Sequence, residues 1–329
     1  MREKRVLAVL LCSVLVFMAG CGTGKEEQKT EREIFAMDTI MNLTFYGDSG
    51  ETAMKEAIHE IHRLESLFSV TKSDSDIARI NAAGGTAVTV EQETYDLLEQ
   101  CKSYGDETEG LFDISIYPLV KLWGFTTENY RVPFETERQE TIKKINYQKI
   151  ELLPDNQVRI PKGMAIDLGA VVKGYLSQKI MELCKEQGVT SAIVSLGGNV
   201  QTIGVKPNGD SFVVGITDPV DGTGIYGTLQ VKDKAVITSG IYQRNFKKDG
   251  KTYHHIMDKR TGMPADNGLT SVTVIADDGE KADALATALS VMGEEKAKDY
   301  QKKHPEIEII LIRKDGSFWQ SAGAGMERQ

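Results

Sequence analysis

A chain of 329 residues, 40% hydrophobic and 26% charged, has room for one large domain or two fused halves with full cores. Its formal net charge of −9 excludes nucleic acid as a partner, because neutralising a phosphate backbone needs a basic face. A nucleotide ligand stays open, since one lysine, a few backbone N–H groups and a metal suffice to hold it.

At the N-terminus, Arg2, Lys4 and Arg5 precede an apolar run from Val6 to Ala19, broken by Cys12 and Ser13. The run is short for a membrane-spanning helix and predicts a signal peptide over 1–20. It ends in Met18-Ala19-Gly20-Cys21, and small residues before a cysteine resemble a bacterial lipobox, although Met18 stands where leucine is usual. Cys21 would then carry lipid and hold the chain on the extracytoplasmic face of a bacterial cell membrane. Polar residues over 21–33 predict a flexible tether, and 34–329 the globular domain.

Within that domain a first strand is expected at Phe35–Tyr46. Ala57, Ile58, Ile61, Leu64 and Phe68 recur at helical spacing and predict an amphipathic helix over 51–67. A second helix is expected over 91–104 through Leu97, Leu98 and Cys101. The stretch 124–149 reads as polar and irregular, with strands near 149–160. A Gly-rich turn at 169–174 opens a helix to Gln187 through Leu176, Ile180, Met181 and Cys184. Apolar runs at Ala192–Leu196, Phe212–Ile216, Ile225–Val231, Ala235–Thr238, Ser271–Ala276 and Ile307–Ile312 predict strands, with one helix over 280–292 between the last two. Cys101 and Cys184 read as buried thiols, and the chain has no CxxC or Cys/His cluster to suggest zinc. Hairpin-rich order without regular βαβ alternation predicts an α+β fold.

Four segments carry residue types that suit chemistry. In Ala165-Ile166-Asp167-Leu168-Gly169-Ala170-Val171-Val172-Lys173-Gly174-Tyr175, an acid, a turn and a Lys-Gly pair at a helix start would aim N–H groups and a cation at one point. By itself this is equally a strand–turn–helix with solvated charges. Ser195-Leu196-Gly197-Gly198-Asn199 follows a strand, and its paired glycines admit either a close ligand or an ordinary tight turn. Thr238-Ser239-Gly240-Ile241-Tyr242-Gln243-Arg244 and Tyr253-His254-His255-Ile256-Met257-Asp258-Lys259-Arg260-Thr261-Gly262-Met263-Pro264 concentrate titratable and hydroxyl groups. In Ala282-Asp283-Ala284-Leu285-Ala286-Thr287-Ala288-Leu289, Asp283 and Thr287 share one helix face. They offer oxygen ligands to a hard cation, although an acid near a helix start and a back-bonding Thr are common without one.

These segments occur in order after Met37-Asp38-Thr39, Phe68-Ser69, Ser75-Asp76-Ile77 with Asn81, and Gly110-Leu111-Phe112-Asp113 leading to Pro118-Leu119 and Trp123-Gly124-Phe125. From about Phe35 to the C-terminus the chain resembles the ApbE family, the FAD:protein FMN transferases, once described as thiamine-biosynthesis lipoproteins. It departs from the usual pattern at Asp38, where the family has Gly, and at Ala170-Val171, where it has Gly-Ile.

The resemblance implies a strand-rich α+β domain related to the T-fold, with flanking helices. It implies FAD as substrate and Mg2+ as cofactor. Asp167 and Lys173 would contact FAD, while Met37, Thr71, Leu111, Phe112, Asp113 and Met257 would line the flavin nucleotide. Asp283 and Thr287 would bind the metal by side chain, with the Ala170 and Ala286 carbonyls near it. His255 would assist the incoming hydroxyl of a threonine on an acceptor protein, a membrane redox subunit or an extracytoplasmic flavoprotein. The same site would serve an FAD pyrophosphatase releasing FMN and AMP, and a non-catalytic flavin-binding lipoprotein is the alternative of another class. Asn267-Gly268-Leu269-Thr270-Ser271 superficially resembles an FMN-acceptor sequence. It leads straight into a strand and is read as a turn, so self-flavinylation is not expected.

Overall fold

The computed structural model describes residues 28–220 and 222–329. β1 (Lys29–Ala36) and β2 (Thr39–Tyr46) form a hairpin, followed by α1 (Gly50–Phe68), α2 (Asp76–Ala82), β3 (Val88–Thr89) and α3 (Gln92–Glu107). Then come α4 (Tyr117–Leu122), α5 (Glu135–Ile142), β4 (Glu151–Leu153), β5 (Gln157–Arg159) and α6 (Val172–Glu186). The strand-rich half holds β6 (Ser191–Leu196), β7 (Asn199–Ile203), β8 (Phe212–Thr217), β9 (Ile225–Val231) and β10 (Ala235–Gly240). After them come β11 (Asn245–Lys248), β12 (Lys251–His254), β13 (Met257–Asp258), β14 (Met263–Pro264) and β15 (Leu269–Ala276). The chain closes with α7 (Gly279–Met292), α8 (Glu294–Lys303), β16 (Glu308–Arg313), β17 (Phe318–Gln320) and β18 (Glu327–Arg328).

Eight strands form one antiparallel sheet in the order β1-β2-β6-β7-β10-β15-β16-β17. Helices cover one face. Ala53, Met54, Ala57, Ile61 and Leu64 of α1 pack with Leu176 and Ile180 of α6 over Leu43, Val194 and Ala192. Next to them, Leu285 and Leu289 of α7 cover Ile237, Val272 and Val274. The small sheet β18-β9-β8 lies on the other face, closing Val236, Ile310 and Ile312 against Val214, Leu229 and Met326. This mixed antiparallel architecture is the α+β arrangement expected.

Several local expectations are corrected. The expected strand at Phe35–Tyr46 is the tip and second arm of a hairpin whose first arm starts at Lys29, so 29–33 pair with β2 and are not tether. Met37 and Asp38 form its two-residue turn, both at positive φ (48° and 62°). The segment 124–149 contains α5, where only Thr141 is buried, so no apolar stripe announces it. α8 escapes notice for the same reason, with Ala297 and Tyr300 alone buried. Cys101 and Cys184 are free, buried thiols as expected. Cys21, the signal segment and tether residues 21–27 lie outside the described residues.

α7 begins with its own cap, the Asp278 carboxylate accepting from Glu280 N–H (2.8 Å) and Lys281 N–H (3.1 Å). Glu280 pays for this position: its Oε1 is buried with no hydrogen-bond partner. Burial, and then the Asp278 charge, push its carboxyl up to about 7, against a Tyr104 hydroxyl that pulls the other way. Because the folded protein holds this proton where the unfolded chain has lost it, the contribution is full below the ordinary value of 4.5 and is lost as pH rises through about 7. Glu280→Gln is therefore expected to lose less thermal stability than the natural protein between pH 6 and pH 8. Parallel melting curves at the two pH values check this, and equal losses would contradict it.

Candidate active site

The crossing of α6 and α7 builds the site. Gly174, in the first turn of α6, lies so close to α7 that a Cβ would overlap the Gly279 carbonyl and stand 2.6 Å from the Asp283 Cβ. That close approach lets the Gly174 N–H donate to Asp283 Oδ2 at 2.9 Å, across 109 residues of sequence. Asp283 is 4% exposed, and a carboxylate at that depth needs partners of this kind. A helix-start N–H supplies one, with the favourable end of the α6 dipole behind it. Thr287, one turn further along α7, meets the Ser239 hydroxyl of β10 at 3.3 Å. The Ala286 carbonyl already accepts from the Ser290 hydroxyl at 2.8 Å, so it reaches a cation only if that hydroxyl turns away.

Before α6, Asp167 folds its Oδ1 back on the Gly169 N–H (2.9 Å), making the turn that places partly buried Ala170 and then Lys173. Its own N–H donates to the Ile114 carbonyl (2.9 Å). Asn81 clamps the preceding residue at both ends, donating to Ile166 O (2.8 Å) and accepting from Ile166 N–H (2.7 Å). Burial raises the Asp167 carboxyl above its usual range, while the Gly169 N–H and the Arg244 and Lys173 charges act in the opposite sense.

Arg244 and Lys173 also act on His255, so groups from three parts of the chain share one electrostatic neighbourhood. Burial first, then the Arg244 charge, hold the His255 imidazole down to about 3, with Lys173 adding to the effect. The ring is tied to the Arg244 carbonyl through Nδ1 at 3.3 Å, beneath a backbone bond from its own N–H at 3.1 Å. Its neighbour His254 is buried, anchored by Nε2 to the Ala265 carbonyl (3.0 Å), and burial pushes it down to about 4. Two adjacent histidines thus divide their roles, one fixed in the core and one facing the cations.

Met37 and Thr71 belong to a second corner. The Met37 N–H donates to Glu65 (2.7 Å), which also takes the Lys72 ammonium (2.8 Å), and Thr71 shares a hydrogen bond with Ser69 (3.0 Å). Asp38, beside Met37, reaches across to Arg244 at 2.7 Å.

The expected flavin-lining residues divide. Leu111 is partly buried at the surface of the core, whereas Phe112 is 1% exposed with its ring edge-on to Tyr104. Met257 is buried among Leu119, Trp123 and Phe125. The Asp113 carboxylate is engaged within the chain by Ser115 N–H (2.9 Å), the Ser115 hydroxyl (2.6 Å), Tyr147 N–H (3.3 Å) and the Lys259 ammonium (2.7 Å). The side chains of Phe112, Asp113 and Met257 are thus buried or engaged within the chain itself.

Arg244, Ser239 and Glu65 were given no role from sequence. Arg244 and Ser239 lie inside a segment already singled out. Glu65 carries none, being an ordinary helical glutamate until the hairpin turn lands on it.

A sequence model described as the ApbE family matches residues 37–311. The chain belongs to the ApbE family. It is 33% identical over 340 residues to the FAD:protein FMN transferase of Treponema pallidum, an alignment covering 96% of this chain and 93% of that protein. A Klebsiella pneumoniae protein of the same name is 34% identical, with 78% and 80% covered. Among solved structures, the ApbE protein of Thermotoga maritima superposes with a TM-score of 0.84 at 32% identity, covering 90% of this chain and 97% of that one. The ApbE flavin transferase of Vibrio cholerae gives 0.80 at 26% identity, with 90% and 97% covered. The α+β fold read from sequence is thus that of this ApbE-family chain.

The apparent FMN-acceptor sequence is not available for modification in this fold. Thr270 is buried at the start of β15 and donates to the Ile312 carbonyl at 3.0 Å.

Proposed function

We propose that this chain is an FAD:protein FMN transferase, moving the FMN half of FAD onto a threonine hydroxyl of another protein and releasing AMP. One observation carries the reading: the Asp283 carboxylate, the Gly174 N–H and the Lys173 turn converge where α6 crosses α7.

The donors there suit magnesium. Among the described residues no group of three or more His, Cys, Asp or Glu could hold a metal ion. One carboxylate with a hydroxyl and carbonyls leaves coordination positions for water and substrate phosphate, which is the habit of Mg2+ rather than of a protein-caged ion. Asp283 through Oδ1, the Thr287 hydroxyl and the Ala170 carbonyl would hold it. A divalent cation bound there supplies positive charge to phosphate oxygens as charge builds on them.

The chain's own groups do the rest. Lys173 and Arg244 present cations to an anionic pyrophosphate, and the start of α6 adds N–H donors. The attacking threonine oxygen forms a bond to the FMN-side phosphorus while the bond from that phosphorus to the AMP oxygen breaks. His255, neutral near pH 7, takes the proton that the hydroxyl loses. Phosphates seated between Arg244, Lys173 and His255 offset the cations that lower the ring's basicity, making it a better base in the complex than in the free protein. Met18-Ala19-Gly20-Cys21 supports placing this reaction on the extracytoplasmic face of a bacterial membrane. The anchor in this reading is lipid on Cys21; no helix among the described residues is long and apolar enough to cross a membrane.

The test is an assay of FAD, Mg2+ and a threonine-bearing acceptor, read as flavin fluorescence on a denaturing gel. Labelled acceptor with Mg2+ and none with EDTA is expected. AMP release with or without acceptor, and no label, would replace transfer by pyrophosphate hydrolysis. Tightly bound FAD with neither product would make the protein a flavin carrier.

His255→Gln is expected to lower transfer by about 100- to 10,000-fold while FAD affinity is kept. Since the free ring stays neutral down to about 3, its titration should leave kcat/KM unchanged between pH 7.5 and pH 5. A fall through pH 6.5 that vanishes in His255→Gln would contradict that assignment.

A further inference from the structure

Asn199 is 2% exposed, and its amide nitrogen Nδ2 is buried without a hydrogen-bond partner. It follows Gly197-Gly198, the turn between β6 and β7, where both glycines hold positive φ (62° and 96°) and fix the register that starts β7 at Asn199. Buried donors are paired in nearly all folded proteins, so an unpaired one calls for an explanation.

Strand alternation shows where the amide points. Gln201, two residues on and therefore on the same face, accepts from the Ser177 hydroxyl of α6 at 2.7 Å and lies against Gly279 of α7. Asn199 is paired with Ile237 of β10, whose side chain packs under α7, and Ser239, two residues beyond, meets Thr287. Asn199 thus faces the helix layer between those two contacts. One turn before Ser177 on α6 is Gly174, and one turn after Gly279 on α7 is Asp283. The contact between these two lies at the level of Asn199.

We propose that Asn199 is a substrate-binding residue whose Nδ2–H donates to a non-bridging phosphate oxygen of the FAD pyrophosphate. The assignment rests on the transferase reading above, which seats the phosphates at this crossing. An amide is the suitable donor for the position. It is neutral, so it adds a hydrogen bond to an anion without repelling a cation held by Asp283, as a second lysine would. On α7, Asp283 Oδ2 already accepts from the Gly174 N–H, and the Asn199 amide nitrogen has no acceptor within the chain.

The experiment compares the full chain with Asn199→Ala and Asn199→Asp, measuring FAD affinity by calorimetry with MgCl2 present and melting temperature without and with FAD. Asn199→Ala is expected to weaken FAD binding by about tenfold or more, and Asn199→Asp further, because a carboxylate repels phosphate. Without FAD the melting temperature of Asn199→Ala should equal or exceed that of the natural chain, since an unpaired buried donor has been removed. FAD affinity of Asn199→Ala within about twofold of the natural chain would overturn the assignment. If a variant does not fold, the natural chain decides: the Asn199 side-chain amide proton should shift downfield on adding FAD and stay in place with riboflavin, which has no phosphate. The absence of an FAD-dependent shift would overturn the assignment. Failure of the natural chain to bind FAD at all would remove the whole site, whereas tight binding unaffected at Asn199 would remove this residue alone.

Discussion

Asp283→Asn is expected to reduce FMN transfer by at least about a thousandfold while leaving the fold intact, because it removes the carboxylate charge that meets the Gly174 N–H at the α6–α7 crossing. The amide is nearly isosteric, and its oxygen still accepts from the Gly174 N–H, so the buried donor stays paired. Asp283→Ala is the harsher change, leaving that N–H without its acceptor at a cost of about 1–3 kcal/mol. The pair of variants separates charge from packing. Transfer measured against Mg2+ concentration, with melting curves alongside, should show both inactive at ordinary Mg2+ and only the alanine variant clearly less stable. Wild-type transfer by Asp283→Asn would remove the cation-binding role from this residue.

The second large effect is on the crossing itself. Gly174→Ala forces a methyl group into the Gly279 carbonyl and the Asp283 Cβ, so α6 and α7 must separate. Overpacking of this kind costs about 1–3 kcal/mol, and here the yielding atoms include backbone. The same displacement pulls the Gly174 N–H from Asp283 Oδ2, so stability and activity should fall together. Urea unfolding and the Mg2+ concentration needed for half-maximal transfer read the two losses. A variant with natural stability and an unchanged Mg2+ requirement would show that the helices do not need to touch at Gly174.

These variants probe residues of very different legibility. Asp283 and Thr287 are marked by four-residue spacing on an apolar helix, and Asp167 with Lys173 by a turn before another. Each pattern is local, so a sequence displays it. Periodicity likewise marked α1, α3, α6 and α7, because each has a broad apolar face to bury. α5 and α8 were illegible because so few of their residues enter the core. β7 was missed because its helix-facing side carries Asn199 and Gln201, whose burial is satisfied or left waiting by partners on α6, not by apolar alternation.

Sequence by itself determined the α+β class, the ordered ApbE-family segments and which side chains are candidates for a site, since composition, spacing and turn chemistry are properties of neighbouring residues. Only the tertiary structure decided that Gly174 and Asp283 touch, that Asp38 pairs with Arg244, and that Asp113 is occupied by Lys259. Those are long-range pairings set by two helices that cross closely at Gly174 and Gly279 and by the register of one large sheet. No spacing along the chain records which distant residue fills the space that a missing Cβ leaves.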